Sequence, residues 1–166
     1  MMNVLRSVHA AKIAAVLVAG LAMGACAKNP AGQDVGALAN ASAATPGSQQ
    51  DFVVNVGDRV FFESDSSELT PQSIATLDKQ AQWLRSYAQY TFVVEGHADE
   101  RGTREYNIAL GARRAETVRQ YLVSRGIGAQ RMRTISYGKE RPVAVCDDIS
   151  CWSQNRRAVT VLNASS

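Results

Sequence analysis

The fold is decided by residues 92–122, which read FVVEGHADERGTREYNIALGARRAETVRQYL. The first three residues form a short apolar run rich in valine, and residues 92–95 are predicted to form a buried strand. A polar loop from Gly96 to Glu105 follows. Beyond the loop, small or apolar residues recur at helical spacing and give one buried stripe: Ile108, Gly111, Ala115, Val118 and Leu122. Arg125 and Gly126 provide a basic last turn and a glycine that can end this helix.

The flanking segments predict one more helix and further strands. Residues 52–56 and 59–62 are β-branched and aromatic, with a Gly-Asp turn between them. Thr70 is expected to cap a helix that begins with Pro71 and has one apolar face: Ile74, Leu77, Ala81 and Leu84. Residues 132–137 and 158–162 predict two more strands. This order predicts an α/β fold, an α+β sandwich in which helices cover one face of a mixed four-stranded sheet.

Helical geometry separates two neighbouring arginines. At about 100° per residue, Arg114 lies only about 40° from Leu110, whereas Arg113 lies on the opposite side of the helix. A guanidinium at the margin of the core needs a partner, while an exposed one is simply hydrated. From spacing alone, Arg114 either forms a structural ion pair with Asp99 or Glu95, or it binds a ligand.

Three motifs resemble those of the OmpA-like peptidoglycan-binding family. The helix reads Asn107-x-x-Leu110-Gly111-x-x-Arg114-Ala115-x-x-Val118-x-x-x-Leu122, the loop before it reads Gly96-His97-Ala98-Asp99-Glu100-Arg101-Gly102, and Asn155-Arg156-Arg157 follows. The resemblance covers about residues 52–163 and implies an OmpA-like domain over residues 51–166. Two features depart from the family pattern: Gly111 stands where serine is common, and the segment 146–151 has two cysteines that are not a general feature.

The resemblance also implies a ligand and the residues that bind it. The ligand is the meso-diaminopimelate of the peptidoglycan stem peptide, whose side chain ends in an ammonium and a carboxylate. By motif position, Asp99 is expected to bind the ammonium and Arg114 to bind the carboxylate through two parallel hydrogen bonds. Asp65, Asn107 and Arg156 fall where related domains place further contacts. For Asp65 and Asn107, a capping or turn role is an equal alternative. No cofactor or metal ion is implied.

The amino terminus predicts export and lipid attachment. Two basic residues precede an apolar run from Ile13 to Leu21, which is about 14 Å long as a helix and too short for roughly 30 Å of bilayer hydrocarbon. The small residues before Cys26 resemble a bacterial lipobox. They predict a signal peptide over residues 1–25 and a diacylglycerol on Cys26, with ordinary cleavage after Ala27 as the alternative. Because Ala27 is not aspartate, the lipobox resemblance implies the outer membrane of a Gram-negative bacterium, with the domain facing the periplasm.

Residues 26–50 are predicted to join the lipidated cysteine to the domain as a flexible tether. They are rich in Ala, Gly, Ser, Asn and Gln and contain no aromatic residue. Such a composition has too little apolar surface to offset the entropy of ordering. As a flexible chain, this segment has an r.m.s. reach of about 27 Å, so the domain can stand away from the membrane.

The charge of the chain argues against one class of partner. The formal net charge is +3, but two of the 18 basic residues lie in the first 25 positions. The remainder holds 16 basic and 15 acidic side chains. A nucleic-acid-binding protein would concentrate positive charge to neutralise phosphates. The near balance therefore predicts no nucleic-acid partner.

The other two cysteines predict a disulfide. Once Cys26 carries lipid, Cys146 and Cys151 remain as a pair in an oxidising compartment. A zinc site would need two further ligands, and the neighbouring Asp147 and Asp148 are poor partners for zinc beside thiolates. The disulfide would close a short loop and fix it locally.

Catalysis is not predicted. His97, Asp99 and Glu100 form the one local cluster of acid–base groups, and that loop offers no plausible nucleophile. We expect His97 to be packed and hydrogen-bonded instead of touching a ligand. A cell-wall hydrolase is the remote alternative to a binding protein.

The leader, tether and loop together resemble the peptidoglycan-associated lipoproteins of the Tol-Pal system. That resemblance implies TolB, and also TolA, as protein partners. It implies a role in envelope integrity and in constriction of the outer membrane during cell division. A wall-tethering OmpA-like lipoprotein without Tol partners is the alternative that the domain alone leaves open.

Overall fold

Four helices and four strands are the main elements of residues 44–163, the part of the chain that the computed structural model describes. In chain order they are α1 (Gln49–Asp51), β1 (Arg59–Phe61), α2 (Pro71–Ser86), β2 (Thr91–His97), α3 (Arg104–Ser124), β3 (Met132–Gly138), α4 (Ile149–Asn155) and β4 (Arg157–Asn163). None of these helices is long and apolar enough to cross a membrane. The predicted signal peptide, Cys26 and the tether up to residue 43 lie outside the described residues.

The four strands form one mixed sheet in the order β1-β4-β2-β3. Strand β4 runs antiparallel to both β1 and β2, and β2 runs parallel to β3. Helix α3 connects the two parallel strands and packs against both of them. Phe92 and Val94 of β2 are buried beneath the helices, whereas Val93 and Glu95 on the other face are half-buried. The predicted sheet and its one helix-covered face are confirmed.

The ends of both long helices follow the predicted signals. The Thr70 side chain accepts a hydrogen bond from the Ser73 amide, and Pro71 opens α2. Helix α3 ends at Ser124, two residues before a left-handed Gly126, and the Ile127 amide donates to the Leu122 carbonyl at 3.0 Å. This arrangement satisfies a carbonyl that the helix end would otherwise leave free.

The strand predicted over residues 52–56 is wrong. Phe52–Gly57 forms a turn of π-helix that continues from α1. Phe52 is fully buried against Trp83, Val56 is half-buried and the residues between them are exposed. Burial at positions four apart is helical spacing, although the β-branched composition of this segment favours a strand. Packing against α2 has overridden the local propensity.

Helix α4 was not predicted. The Asp148 side chain caps its first turn by accepting from the Ser150 amide at 2.7 Å. Cys151 within the helix forms a disulfide with Cys146 in the preceding loop, with the two Cα atoms 5.7 Å apart. The predicted disulfide is confirmed. Because α4 is only seven residues long, its apolar periodicity was too short to stand out in the sequence.

Two glycines let α3 pack directly on the sheet. A Cβ atom on Gly96 would lie 1.8 Å from the Gly111 carbonyl oxygen, so no side chain fits there. A Cβ on Gly111 would lie 2.4 Å from Ser136 Oγ, which accounts for glycine at this family serine position. The close approach of β2 and α3 brings the loop after β2 beside the first turns of α3.

Residues before Asp51 also contact the domain. The Tyr90 hydroxyl donates to the Gly47 carbonyl at 2.8 Å, and the Gln49 side-chain amide donates to the Leu162 carbonyl at 3.2 Å. Trp83 Nε1 donates to Asp51 at 2.8 Å. These bonds tie the start of the described chain to α2 and β4.

Candidate ligand-binding site

A cavity of about 260 Å³ lies between the loop after β1, the loop after β2 and the first half of α3. Its lining includes four of the five predicted site residues: Asp65, Asp99, Asn107 and Arg114. The fifth, Arg156, lies behind Asp99, with its Nη1 atom 3.3 Å from Asp99 Oδ2. The structure therefore brings together residues that are up to 91 positions apart in the sequence. We call this cavity the Asp99 site.

A second cavity is larger, and one predicted site residue, Arg156, lines it together with the charged side chains of Arg59 and Glu63. It measures about 410 Å³ and lies beside β1, the start of α2 and part of α4. Neither Asp99 nor Arg114 lines it. Size alone does not identify a ligand site, whereas converging polar groups in a cleft fix the orientation of a ligand.

Asp99 is a buried carboxylate with two arginine partners. Arg101 approaches it with both arms, Nε 3.2 Å from Oδ1 and Nη2 2.6 Å from Oδ2, and the Arg101 amide also donates to Oδ1 at 3.2 Å. Burial on its own would raise the pKa of Asp99, but the hydrogen bonds from Arg101 and Arg156 outweigh it and hold that pKa below its ordinary value. The carboxylate is therefore ionised at neutral pH.

Arg114 is fully buried and is held by backbone oxygens. Its Nε donates to Ser66 O at 2.8 Å, Nη1 to His97 O at 2.8 Å and Nη2 to Glu63 O at 3.1 Å. Burial, followed by repulsion from Arg156, lowers the pKa of Arg114 to about 10, so it remains protonated at neutral pH. Three carbonyls thus fix one cation in the floor of the Asp99 site.

The structural ion pair considered for Arg114 is not formed. Within residues 44–163, Asp99 forms ion pairs with Arg101 and Arg156. In the same residues, Arg114 forms no ion pair with either Asp99 or Glu95. Its angular position on the helix predicted that Arg114 lies at the edge of the buried face, but the side chain is in fact fully buried. The carbonyls that receive it come from other parts of the chain, and helical spacing contains no information about them.

Asn107 and Asp65 both have structural contacts as well as a place in the cavity lining. The buried Asn107 donates through Nδ2 to the Arg101 carbonyl at 2.8 Å and so holds the loop after β2. Asp65 has a left-handed backbone, with φ of 57°, and its carboxylate accepts from the Tyr106 hydroxyl. Aspartate tolerates such a left-handed turn position better than most residues.

Sequence comparison places this arrangement among known proteins. The profile of the OmpA family matches residues 61–158. The chain belongs to the OmpA family. Among its relatives is a peptidoglycan-associated lipoprotein from Rhizobium meliloti, 66% identical over 151 residues that span 90% of this chain and 86% of the relative. A peptidoglycan-associated lipoprotein from Brucella melitensis is 59% identical and covers 99% of both chains. The family resemblance inferred from the motifs is confirmed.

Two solved structures have a similar fold. The peptidoglycan-associated lipoprotein from Burkholderia pseudomallei matches with a TM-score of 0.62 and 45% identity, over 64% of this chain and 90% of that one. The C-terminal domain of Helicobacter pylori MotB matches with a TM-score of 0.61 at 21% identity, over 64% of this chain and 84% of that one. The second comparison concerns the fold alone.

Sequence reasoning missed three side chains that line the Asp99 site. Arg101 is part of the quoted loop motif but was not predicted to be a site residue, and Ser64 and Tyr106 were not considered. The signal for Arg101 was present, because an arginine two residues after an acid in a tight loop can bond that acid. Tyr106 reaches Asp65 across 41 positions, which no local pattern reveals.

His97 is packed, as expected, but it is not hydrogen-bonded to any described residue. It is 2% exposed and its ring stacks on Tyr137, with the ring centroids 5.6 Å apart. Neither ring nitrogen has a hydrogen-bond partner within residues 44–163, and Glu95 Oε2 remains 3.7 Å from Nε2. Burial, with the nearby charges of Arg157 and Arg141, lowers the pKa of His97 to about 4.

This buried histidine predicts an acid-sensitive domain. A group with pKa 6.5 when unfolded and about 4 when folded favours the folded state fully above pH 6.5 and loses that contribution as the pH falls towards 4. We expect the unfolding free energy to fall by about 3 kcal/mol more in wild type than in His97→Phe between pH 7 and pH 4. Urea unfolding of both proteins at a series of pH values measures this difference in unfolding free energy. Parallel pH profiles for the two proteins would refute this assignment.

Metal binding has no support in the described residues. Residues 44–163 contain no group of three or more His, Cys, Asp or Glu side chains arranged around a possible ion. The two cysteines considered for zinc are joined to each other.

Proposed function

We propose that this protein is a noncatalytic anchor that binds peptidoglycan at the Asp99 site and joins the cell wall to the outer membrane. The observation that carries the proposal is the presence of an ionised Asp99 and a fixed Arg114 in the lining of one cavity. The names of the relatives support it, since they describe lipoproteins that associate with peptidoglycan.

The chemistry of the cavity fits the end of a diaminopimelate side chain. Asp99 would receive the ligand ammonium as a charge-assisted hydrogen bond. The three carbonyls bound by Arg114 account for three of its five N–H groups, which leaves two for a ligand carboxylate. A peptide with both charges would thus find one fixed partner for each, while Asn107 keeps the loop in place.

The same groups are poorly suited to catalysis. A hydrolase would need an acid and a base with separated pKa values, or an activated nucleophile. In the Asp99 site, the Asp99 carboxylate has a lowered pKa and is already bound by two arginines. Incubation with purified sacculi is expected to release no muropeptides, and any release would revive the hydrolase alternative.

Sedimentation with sacculi tests the binding half of the proposal. The lipoprotein in detergent is expected to pellet with purified diaminopimelate-containing sacculi and to stay in the supernatant without them. A chain that stays in the supernatant at moderate salt would contradict the proposal.

The membrane half of the proposal rests on the division of the chain into a signal peptide over residues 1–25, a lipidated Cys26 with a tether, and the domain. Cys26→Ser is expected to leave the domain folded and to abolish lipid labelling, because only that thiol can carry the diacylglycerol. The protein should then appear in the soluble periplasmic fraction. Continued lipid labelling of the variant would show that another residue is modified.

A Tol partner is the finer part of the proposal. The resemblance of leader, tether and loop to the lipoproteins of the Tol-Pal system favours TolB, with TolA, as partners in envelope integrity and cell division. Purification of the lipoprotein from crosslinked envelopes tests this directly. Recovery of TolB supports the Tol role. Recovery of peptidoglycan without any Tol protein supports the alternative, a wall-tethering OmpA-like lipoprotein without Tol partners.

A further inference from the structure

In the Asp99 site, a cation of the protein itself already lies where the ammonium would bind. The Arg101 guanidinium holds Asp99 with both arms, at 3.2 and 2.6 Å, and Nη2 also donates to Ser64 Oγ at 2.9 Å. Unlike Arg114 and Arg156, the Arg101 side chain is 43% exposed, so it can leave without opening the core. A ligand ammonium and Arg101 therefore compete for one carboxylate.

A tryptophan from another part of the fold holds Arg101 beside the cavity. The Arg101 guanidinium lies 4.3 Å from the ring centroid of Trp152, and Trp152 Nε1 donates to Glu100 in the same loop. Trp152 follows Cys151 in α4, so the disulfide to Cys146 fixes the helix that carries the indole. A guanidinium over an aromatic face keeps a favourable contact even when it loses an ion-pair partner.

We propose that Arg101 is a specificity-determining residue that favours side chains ending in both an ammonium and a carboxylate over side chains ending in an ammonium alone. The inference rests on the proposed function of the Asp99 site. Trp152 is a positioning residue that acts through Arg101.

The discrimination follows from counting charge partners before and after binding. A ligand with both groups displaces Arg101 from Asp99 and offers it a carboxylate, so every charge is paired in the complex. A lysine side chain displaces Arg101 and offers nothing in return. A carboxylate has about four lone-pair positions, enough for both Arg114 and the displaced Arg101. Binding of the lysine ligand therefore breaks the ion pair between Arg101 and Asp99 without replacing it. The diaminopimelate ligand replaces it with an ion pair between Arg101 and the ligand carboxylate.

The test compares two soluble stem peptides that differ only in this carboxylate, one with meso-diaminopimelate and one with lysine. Calorimetric titration of the full-length protein gives the ratio of their dissociation constants. We expect wild type to prefer the diaminopimelate peptide, and Arg101→Gln to reduce that preference about tenfold, mainly by binding the lysine peptide more tightly. Trp152→Leu is expected to reduce the preference by a smaller factor, and Trp152→Phe, which keeps an aromatic face, to preserve it.

Arg104→Gln is the matched control. Arg104 is exposed, pairs with Glu140 and does not line the Asp99 site, so its loss removes the same charge from the neighbourhood without changing the ratio. If wild type binds neither peptide, the proposed function fails, and this inference with it. If wild type binds diaminopimelate but the preference is absent, or is unchanged in Arg101→Gln and Trp152→Leu, the inference alone is overturned. An equal change in Arg104→Gln would also overturn it.

Discussion

Replacement of Arg114 by alanine is expected to lower the free energy of unfolding by about 4 kcal/mol, because it leaves three carbonyls without their donor and opens a cavity in the core. The three carbonyls belong to Glu63 and Ser66 in the loop after β1 and to His97, the last residue of β2. Arg114 therefore holds the loop after β1 and the end of β2 together as well as lining the cavity. Urea unfolding at neutral pH measures the loss.

Arg113→Ala is the matched control for this effect. Arg113 is exposed on the neighbouring position of α3, with its guanidinium 6.0 Å from the Tyr106 ring. Its removal takes away the same formal charge, and we expect stability to change by no more than about 0.5 kcal/mol. Equal stability of the Arg114→Ala and Arg113→Ala proteins would mean that the carbonyl contacts of Arg114 contribute nothing.

The second large effect concerns binding. Asp99→Asn keeps the shape of the side chain but removes the charge that pairs with a ligand ammonium. We expect it to weaken binding to sacculi by about 3 kcal/mol, or about 150-fold, since truncating one partner of a buried charge pair costs 2 to about 5 kcal/mol. Sedimentation at moderate salt measures this loss. Circular dichroism and melting behaviour must first show that the variant is folded, since Arg156 also loses its carboxylate partner.

Asp78→Asn controls for net charge in that experiment. Asp78 is half-buried, accepts a hydrogen bond from the Tyr121 hydroxyl at 2.9 Å and pairs with Arg125 near the other end of α3. Its loss is expected to leave sacculus binding unchanged within a factor of about two, because solvent-screened ion pairs contribute little and this one lies outside the cavity. If both aspartate variants lose binding equally, the attraction is general and the specific site must be abandoned.

The secondary structure around the site was predictable because its signals are local. The valine-rich strand, the stripe from Gly111 to Leu122 and the caps at Thr70 and Gly126 are all readable within a few residues. Each was confirmed to within two residues of its predicted position. Such patterns specify which face of an element is buried, whereas a joint site for Asp99 and Arg114 was implied by the resemblance to the family motif.

The partners of the site residues were not predictable in the same way. Arg114 bonds carbonyls 48 and 51 positions away, and those carbonyls carry no sequence signature. Trp152 reaches Glu100 across 52 positions from a helix that the sequence did not reveal. Residues 52–56 show the converse case, since their local preference was clear but packing against Trp83 decided their conformation. Long-range contacts, not local propensity, determine which side-chain donor bonds to which carbonyl or carboxylate oxygen.

The most direct test of the account is a nuclear magnetic resonance titration of the protein with the soluble diaminopimelate stem peptide. We expect saturable shifts in the Asp99 and Asn107 amides and in the guanidinium Nε signals of Arg101 and Arg114. The same titration of Asp99→Asn should show almost none of these shifts. Saturable binding that leaves Arg114 unperturbed and instead shifts residues around the larger cavity, such as Val60 and Thr76, would contradict it.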